Sequence, residues 1–235
     1  MKAIILAAGK GKRMGELTKD LPKPMVRVEG KPVLEHIVTS LRDYAGIKDF
    51  FIITGHCAEV IEDYFLDGTK WDVAITYGRQ EVADGTGKAP DLAQSWIGAD
   101  SFILIYGDIL MQPQLFAGLI TAFDSDGVIS VKRGENVSHG GAVVFDQEFI
   151  LECIIEKAAP GTVSSPWYNA GIYGFTPKLF NYTARLEKSP RGEFELTDAL
   201  SAMAADGLKI KGYEIKGNWV DVRDPEILEE LNRAK

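Results

Sequence analysis

The chain has 235 residues, of which 46% are hydrophobic and 26% charged, a composition typical of a folded protein with a sizeable core. Its formal net charge of −8 argues against a nucleic-acid partner, and the distant cysteines Cys57 and Cys153 exclude a disulfide scaffold and a zinc ribbon. No apolar run approaches the roughly 18 residues of a membrane span, so we expect a cytoplasmic protein with no membrane partner.

Predicted strands and helices alternate from residue 2 to residue 108. Near-continuous apolar runs predict buried strands at 2–7, 49–55 and 101–108, and alternating polarity predicts a further strand at 71–77. Apolar residues at helical spacing predict helices at 33–45 and 57–66, and another helix is predicted to end near Trp96. This alternation indicates βαβ units and a mainly parallel sheet, because parallel strands need crossover connections.

After about residue 125 the pattern changes to short β-rich runs, at 127–132, 141–146, 149–155 and 168–175. Helices are predicted at 193–206 and 224–234, with a strand at 208–215 between them. No Pro- or Ser-rich linker separates the two halves. We therefore predict a single α/β domain over residues 1–235. It has a Rossmann-like, mainly parallel sheet flanked by helices in about 1–125 and a more mixed, β-rich half in about 126–235.

Basic residues are concentrated at the start of the chain. Residues 1–31 contain eight Lys and Arg against three acidic residues, a net charge of +5, so the rest of the chain must carry −13. A basic segment on an acidic body indicates a local anionic ligand rather than a long polyanion.

A glycine-rich loop follows the first predicted strand and reads L-A-A-G-K-G-K-R-M-G at 6–15. Methionine takes the place of the third glycine of a dinucleotide fingerprint, and the Gly-Lys-Ser/Thr of a P-loop is absent. Gly9 and Gly11 still allow backbone N–H groups to approach an anion closely. Arg13 adds a guanidinium fork for phosphate oxygens, and Lys23 stands between two prolines that fix the local backbone. The loop therefore predicts a phosphate site.

This loop and the L-P-K-P at 21–24 resemble the signature of the sugar-1-phosphate nucleotidylyltransferases. Six further motifs resemble that family in its order: Q-E-V-A-D-G-T-G at 80–87, Y-G-D at 106–108, I-I-E-K at 154–157, N-A-G-I-Y at 169–173, E-F-E-L-T-D at 193–198 and W-V-D-V at 219–222. The resemblance implies an enzyme that transfers UMP or dTMP from a nucleoside triphosphate to a hexose-1-phosphate, most simply glucose- or GlcNAc-1-phosphate. Residues 1–125 would then bind the nucleotide and residues 126–235 the sugar.

The resemblance also implies roles for individual residues. Nucleotide contacts fall on Leu6, Ala8, Gly9, Gly11, Arg13, Lys23, Gln80, Gly85 and Thr86. Sugar-phosphate contacts fall on Gly141, Glu156, Lys157 and Asn169. The catalytic residues are Arg13, Lys23, Asp108 and Lys157, with Lys157 meeting the incoming sugar phosphate. Gln80 matches the family glutamine that reads the edge of a pyrimidine, since a side-chain amide can face N3–H and O4.

Two carboxylates are candidates for a metal site. Asp108 follows the buried strand at 101–108, and ligands of open α/β sheets bind beyond the carboxyl ends of strands. Asp221 lies in the W-V-D-V motif. Mg²⁺ prefers one or two carboxylates together with waters and phosphate oxygens. The resemblance implies that Asp108 and Asp221 hold Mg²⁺ against the α-phosphate.

Two positions depart from the family pattern. Lys12 stands where relatives carry Thr or Ser, and Lys88 stands where many carry a neutral residue or His. Two other functions stay open: a CTP- or GTP-dependent relative acting on another phosphate acceptor, and a catalytically silent homologue that senses nucleotide sugars. The presence together of Arg13, Lys23, Asp108, Lys157 and Asp221 argues against a silent homologue.

Other features of the sequence carry less information. His36, His56 and His139 form no metalloprotease or hydrolase motif, and we predict structural or surface positions for them. No hexapeptide repeats are present, so the acetyltransferase activity of bifunctional relatives is not expected. A homo-oligomer is compatible with the sequence, which does not determine the oligomeric state.

Overall fold

A computed structural model describes residues 1–159 and 161–233. The strands are β1 (Lys2–Leu6), β2 (Arg27–Val28), β3 (Lys31–Pro32), β4 (Asp49–Thr54), β5 (Ala74–Arg79), β6 (Phe102–Tyr106), β7 (Ile109–Met111), β8 (Gly127–Arg133), β9 (Gly141–Phe145), β10 (Leu151–Glu156), β11 (Trp167–Phe175), β12 (Ile210–Glu214) and β13 (Trp219–Asp221). The α-helices are α1 (Val33–Ala45), α2 (Ala58–Phe65), α3 (Gln94–Ile97), α4 (Leu115–Ala122), α5 (Phe180–Thr183), α6 (Leu196–Ala205) and α7 (Pro225–Arg233).

The first half of the chain builds a parallel sheet in the order β6-β1-β4-β5. Both faces of the inner strands are covered, so β1, β4 and β6 are apolar over most of their length, whereas the edge strand β5 alternates. Ile5 and Ile52 belong to the core on the side of α1, whereas Ile4 and Ile53 belong to the core on the side of α6. Residues that alternate along a strand thus fill two cores on opposite faces of one sheet.

The second half extends the same sheet through the long strand β11. The C-terminal part of β11 pairs antiparallel with β6 and β8, and its N-terminal part pairs with β8 and β9. β12 adds parallel to β8, and β10 adds antiparallel to β9. Following these pairings, β10 and β11 run opposite to the other strands of the nine-stranded sheet. The predicted fold class, an α/β protein with a mainly parallel sheet flanked by helices, is confirmed.

The carboxyl ends of the parallel strands place the functional loops at one edge of the sheet. The glycine-rich loop follows β1, the loop at 80–88 follows β5, and Asp108 follows β6. A separate two-stranded ribbon lies beside this edge, in which β7 pairs antiparallel with β13 and Ile109 lies opposite Asp221. This ribbon brings Asp221 next to Asp108.

Several elements differ from the sequence prediction. The strand predicted at 71–77 begins at Ala74, because Trp71 lies in a 3₁₀ turn and packs 4.8 Å from the ring of Phe65. The helix predicted at 193–206 begins at Leu196, because the preceding residues pair with the loop at 84–87. The helix predicted at 224–234 is observed as α7, and its last predicted residue lies outside the described ranges.

Other elements were not predicted at all. The α4 sequence, L-F-A-G-L-I-T-A, is apolar on nearly every side and has no helical periodicity to detect. The strands β7 and β13 have three residues each, too few for a periodic signal. Within the described part of the chain, no helix has the length and apolarity needed to cross a bilayer.

Candidate active site

The glycine-rich loop leaves β1 and turns into a 3₁₀ segment at Lys12–Thr18. Gly11 adopts a left-handed φ of 59°, and a Cβ there would lie 3.1 Å from both Lys23 Cβ and the Thr18 side chain. Glycine is therefore required at this point by its backbone conformation and by the close approach of Lys23. Met14 is buried in the core, whereas Arg13 is exposed at the cleft.

One cavity lies over the ends of β1, β5 and β6. Its lining residues are Leu6, Ala8, Gly9, Gln80, Ala83, Gly85, Thr86, Ala89, Tyr106, Asp108 and Glu193. The amide nitrogen of Gln80 donates to the Gly85 carbonyl at 3.0 Å and to Asp84 Oδ1 at 3.3 Å. The amide nitrogen is thus held by its own loop.

The loop at 84–88 is bound to the segment that leads into α6. Phe194 donates its N–H to the Asp84 carbonyl, and Gly87 donates to the Phe194 carbonyl, both at 2.7 Å. A Cβ on Gly85, whose φ is 116°, would lie 2.3 Å from the Phe194 carbonyl oxygen. The Lys88 ammonium lies 4.6 Å from the centroid of the Phe194 ring, within cation–π range. Lys88, a departure from the family pattern, is thus placed against Phe194.

A carboxylate pair and a lysine form the centre of the cleft. The Lys23 ammonium contacts Asp108 Oδ2 and lies 3.5 Å from Asp221 Oδ1. Lys23 is only 8% exposed, and these two carboxylates compensate its buried charge. Burial and the neighbouring Asp108 raise the pKa of Asp221 to about 6, against the opposing effect of the Lys23 and Arg13 charges.

A second cavity joins the first at the carboxylate centre. Its lining residues are Arg13, Thr86, Tyr106, Asp108, Ile109, His139, Gly140, Gly141, Glu156, Lys157, Tyr168, Asn169, Gly171, Arg191, Glu193, Glu195, Thr197, Trp219 and Asp221. The two cavities share Thr86, Tyr106, Asp108 and Glu193, so they form one continuous cleft.

Charged groups of both signs line the second cavity. Arg191 lies 3.6 Å from Glu156, 3.1 Å from Glu193 and 3.4 Å from Glu195. Burial, and next the charge of Glu195, raises the pKa of Glu156, while Arg191 and Lys157 act in the opposite direction. Lys157 is exposed and adopts a left-handed φ of 47°, where its N–H donates to the Gly140 carbonyl at 2.7 Å.

A buried hydrogen-bond network orients Asn169. Its Oδ1 accepts from the Tyr173 hydroxyl at 2.9 Å and from the Gly171 N–H at 3.2 Å. The Tyr173 hydroxyl lies 3.3 Å from that of Tyr106, and burial places the Tyr173 pKa well above its ordinary value. Burial also raises the pKa of Tyr106 to about 12, so both tyrosines stay neutral, and the Asn169 amide nitrogen is left for the cavity.

The comparisons with known proteins agree with this site. A family model described as "Nucleotidyl transferase" matches residues 2–235. The chain belongs to the nucleotidyl transferase family. It is 36% identical over 233 residues to the bifunctional protein GlmU of Methanocaldococcus jannaschii, covering 99% of this chain and 54% of that protein. It is 33% identical over 237 residues to the low-salt glycan biosynthesis nucleotidyltransferase Agl11 of Haloferax volcanii, covering 99% of this chain and 65% of that protein. The chain thus spans about half the length of the GlmU relatives.

Solved structures resemble this nucleotidyl transferase closely in fold. A putative glucose-1-phosphate thymidylyltransferase from Bacillus anthracis, solved with sucrose, has a TM-score of 0.88 at 28% identity and covers 99% of this chain and 94% of its own. A UDP-glucose pyrophosphorylase solved with UDP-glucose has a TM-score of 0.89 at 24% identity, covering 99% and 97%, which is a likeness of fold alone. The family resemblance predicted from the motifs is confirmed.

The cleft of this nucleotidyl transferase brings together most of the residues predicted from the motifs. Leu6, Ala8, Gly9, Gln80, Gly85 and Thr86 line the first cavity, and Arg13, Gly141, Glu156, Lys157, Asn169 and Asp221 line the second. Asp108 lines both. Gly11 and Lys23 are not among the lining residues. Gly11 packs against Thr18 and Lys23, and Lys23 reaches the cleft through its ion pairs.

Several residues of the cleft were not predicted from the sequence, and four of them are of interest for the chemistry of the site. Arg191 stands two positions before the E-F-E-L-T-D motif, and its positive charge in an acidic segment was an available signal. Thr197 is inside that motif, and among the described residues its hydroxyl is the buried side-chain group without a hydrogen-bond partner. Tyr106 lies in the Y-G-D motif and lines both cavities. His139 was predicted to be structural or on the surface. It is exposed and also lines the second cavity.

Proposed function

We propose that the chain transfers a nucleoside monophosphate, UMP or dTMP, from a nucleoside triphosphate to a hexose-1-phosphate such as glucose- or GlcNAc-1-phosphate. One observation carries this proposal: two cavities meet at Asp108, where Asp221 and Lys23 also lie. Two anionic substrates entering from the two sides would place their phosphates together at this point.

The proposed reaction needs no general base. A phosphate monoester has a second pKa of about 6, so a sugar phosphate is mainly a dianion at neutral pH and is already a nucleophile. One of its oxygens attacks the α-phosphorus, the bond between that phosphorus and the bridging oxygen of the β-phosphate breaks, and pyrophosphate leaves with the electron pair. Repulsion between the two anions and the geometry of in-line attack are then the obstacles.

Four cations around the cleft would reduce that repulsion. Arg13 and Lys23 stand on the side of the glycine-rich loop and would meet the triphosphate, in keeping with their predicted roles. Lys157 and Arg191 line the second cavity and would meet the incoming phosphate. Catalysis would consist of positioning and of charge stabilisation in the transition state.

The carboxylate pair suits Mg²⁺. Burial and the charge of Asp108 raise the pKa of Asp221, so two negative charges close together are unfavourable here. A divalent cation between the two carboxylates would reduce their repulsion. Among the described residues no cluster of three or more metal-ligating side chains is found, and Mg²⁺ needs no more than one or two carboxylates. Asp108 and Asp221 would hold the ion, which would supply charge neutralisation at the α-phosphate.

The hydrogen bonds of the Gln80 side chain support a nucleotide base that carries a ring N–H. Because its amide nitrogen donates to Gly85 and Asp84, the amide oxygen remains as an acceptor. Uracil and thymine present N3–H to such an acceptor, whereas cytosine presents a ring nitrogen that is itself an acceptor. This supports UTP or dTTP over CTP as the nucleotide.

The lining of the second cavity, which would receive the sugar phosphate, supports a substrate rich in hydroxyl groups. The buried Thr197 hydroxyl is unpartnered within the described residues, and a buried polar group without a partner is costly. Glu156 and the amide nitrogen of Asn169 face the same cavity. A hexose supplies hydroxyl groups that match these donors and acceptors.

The test is a pyrophosphate-release screen of nucleoside triphosphates against sugar-1-phosphates with Mg²⁺. We expect release with UTP or dTTP and a hexose-1-phosphate, and release slower by about a hundredfold or more with Asp108→Asn. Preference for CTP or GTP would favour the alternative nucleotide class. Absence of release with every pair, accompanied by tight binding of a nucleotide sugar, would favour the catalytically silent homologue.

Gln80→Leu tests the nucleotide preference separately. An unpaired buried polar group costs about 1–3 kcal/mol, which corresponds to roughly 5- to 150-fold in kcat/KM. The native chain should therefore use UTP and dTTP better than CTP and ATP by about this factor, and Gln80→Leu should reduce the ratio more than the best rate. Competition assays measure both quantities. The exposed Gln147, changed to Leu, is the matched control, and an unchanged preference in Gln80→Leu would contradict the assignment.

A further inference from the structure

The segment 9–19, here called the phosphate loop, is closed by Thr18. The Thr18 side chain is 3% exposed, and its hydroxyl donates to the Gly11 carbonyl at 2.9 Å. The same hydroxyl lies 3.4 Å from the Gly15 carbonyl. Thr18 thus folds the end of the loop back onto its beginning.

His56 forms hydrogen bonds near both ends of this loop. It follows β4 and is half-buried. Its backbone N–H donates to the Ala8 carbonyl at 3.4 Å, immediately before the loop, and its ring Nε2 lies 3.0 Å from the Thr18 carbonyl. A carbonyl oxygen can only accept, so Nε2 carries the hydrogen of this bond.

The position of the loop affects the rest of the site through Gly11. A Cβ on Gly11 would lie 3.1 Å from Lys23 Cβ and from Thr18, so these three residues pack directly together. The Lys23 ammonium in turn contacts Asp108. A shift of Thr18 would therefore displace the loop N–H groups and Arg13 relative to the carboxylate centre.

We propose that His56 is a positioning residue for the triphosphate, acting through Thr18 on the phosphate loop. His56 is not among the residues that line either cavity, so it would not itself touch a substrate. The proposal rests on the proposed function, because it assigns the loop to the nucleoside triphosphate. It assigns to His56 an effect on nucleotide affinity and not on affinity for the sugar phosphate.

His56→Ala should raise the KM for the nucleoside triphosphate about threefold to tenfold, the range expected for the loss of one hydrogen bond. The KM for the sugar phosphate should stay within about twofold. His56→Gln keeps an N–H donor at the position of Nε2 and should restore most of the affinity. Thr18→Val should raise the same KM, and Thr18→Ser should not.

His36→Ala is the matched control. The His36 ring also bonds to a backbone carbonyl, that of Val28 at 2.8 Å, and among the described residues this bond does not involve the phosphate loop. Its removal should lower stability without changing either KM. Equal effects of His36→Ala and His56→Ala on the nucleotide KM, or a parallel rise in both KM values for His56→Ala, would overturn the proposal.

Calorimetric binding of the same nucleoside triphosphate, without acceptor, separates this proposal from the proposed function. A native chain that turns over no substrate pair contradicts the proposed function. A native chain that turns over its substrates, together with unchanged nucleotide affinity in His56→Ala and Thr18→Val, contradicts the positioning role of His56.

Discussion

Asp108 and Asp221 concentrate the charge of the cleft at one point. Each carboxylate contacts the same lysine, Lys23, which is separated from Asp221 by 198 positions in the sequence. The raised pKa of Asp221 reflects burial and the nearby charge of Asp108. The arrangement keeps negative charge where a cation and phosphate groups are expected to meet.

Asp108→Asn should lower kcat by about a hundredfold or more while the fold is retained, because it removes one of the two carboxylates proposed to hold Mg²⁺ where the two phosphates would meet. We expect a smaller loss for Asp221→Asn, because Lys23 lies 3.5 Å from Asp221 but is in direct contact with Asp108. Pyrophosphate release at saturating Mg²⁺ is the measurement. Asp100→Asn, at an exposed carboxylate paired with Lys2 at 2.9 Å, is the control. Near-native turnover of Asp108→Asn would rule out the metal assignment.

Glu156→Gln should raise the stability of the folded chain at high pH and lower its affinity for the sugar phosphate. Burial and the charge of Glu195 raise the pKa of Glu156, so its ionised form is less favourable in the folded chain than in the unfolded chain. This free-energy cost is absent below the pKa that Glu156 has in the unfolded chain. It develops as the pH rises above that value and is complete once the pH exceeds the pKa of Glu156 in the folded chain. Glu156→Gln should therefore melt at a higher temperature than the native chain at pH 8, and the difference should vanish towards pH 4.

The same variant should bind the sugar phosphate more weakly, which a higher KM would report. Glu152→Gln, at an exposed position on the same strand, is the control and should change neither quantity. A lower melting temperature of Glu156→Gln at pH 8 would contradict the direction of the pKa shift.

At the scale of elements, the loop at 84–88 and the segment 193–195 behave as one unit. Two backbone hydrogen bonds of 2.7 Å and the contact of Lys88 with Phe194 join them. The first loop lines the cavity assigned to the nucleotide, and Glu195 of the second segment lines the cavity assigned to the sugar. A disturbance of this junction should therefore affect both substrates.

Gly85→Ala tests the junction. The added Cβ would meet the Phe194 carbonyl oxygen at 2.3 Å, and the φ of 116° is unfavourable for any residue with a side chain. We expect a loss of about 1–3 kcal/mol in the free energy of unfolding and a rise in the KM of both substrates.

Gly98→Ala is the matched control, because Gly98 also has a positive φ, 61°, but no atom within 4 Å of the added Cβ. It should lower stability by about 1–3 kcal/mol and change neither KM. A Gly85→Ala variant with the kinetics of Gly98→Ala would show that the junction does not matter for binding.

At the scale of the molecule, one sheet crosses both halves of the chain. β11 pairs with β6 of the first half and with β8 and β9 of the second. Phe102 of β6 stacks with Phe180, at 5.5 Å between ring centroids. Both cores contain residues from both halves of the chain, which supports the prediction of a single domain.

Urea unfolding should therefore be a single transition. Variants that retain only Trp71, in the first half, or only Trp167, in the second, report the two halves separately by fluorescence. We expect their midpoints to coincide with each other and with that of the circular dichroism signal. The native chain gives the reference circular dichroism curve. Two separated midpoints would contradict a single domain.

The sequence alone determined the elements with a strong local pattern and the residues next to them. The buried runs at 2–7, 49–55 and 101–108 were found as strands, because several consecutive apolar residues record burial on both faces of a sheet. The predicted cleft residues adjoin these strands or lie in motifs of the family. Their placement could be anticipated because the carboxyl ends of parallel strands meet at one edge.

Only the tertiary structure decided which distant residues meet. The pairing of β7 with β13 places Asp221 beside Asp108, and the reach of Arg191 to Glu156 depends on a loop that precedes α6. The contact of Lys88 with Phe194 likewise joins two segments far apart in sequence. Hydrophobic periodicity reports which face of an element is buried, but it does not report which other element covers that face or in what register.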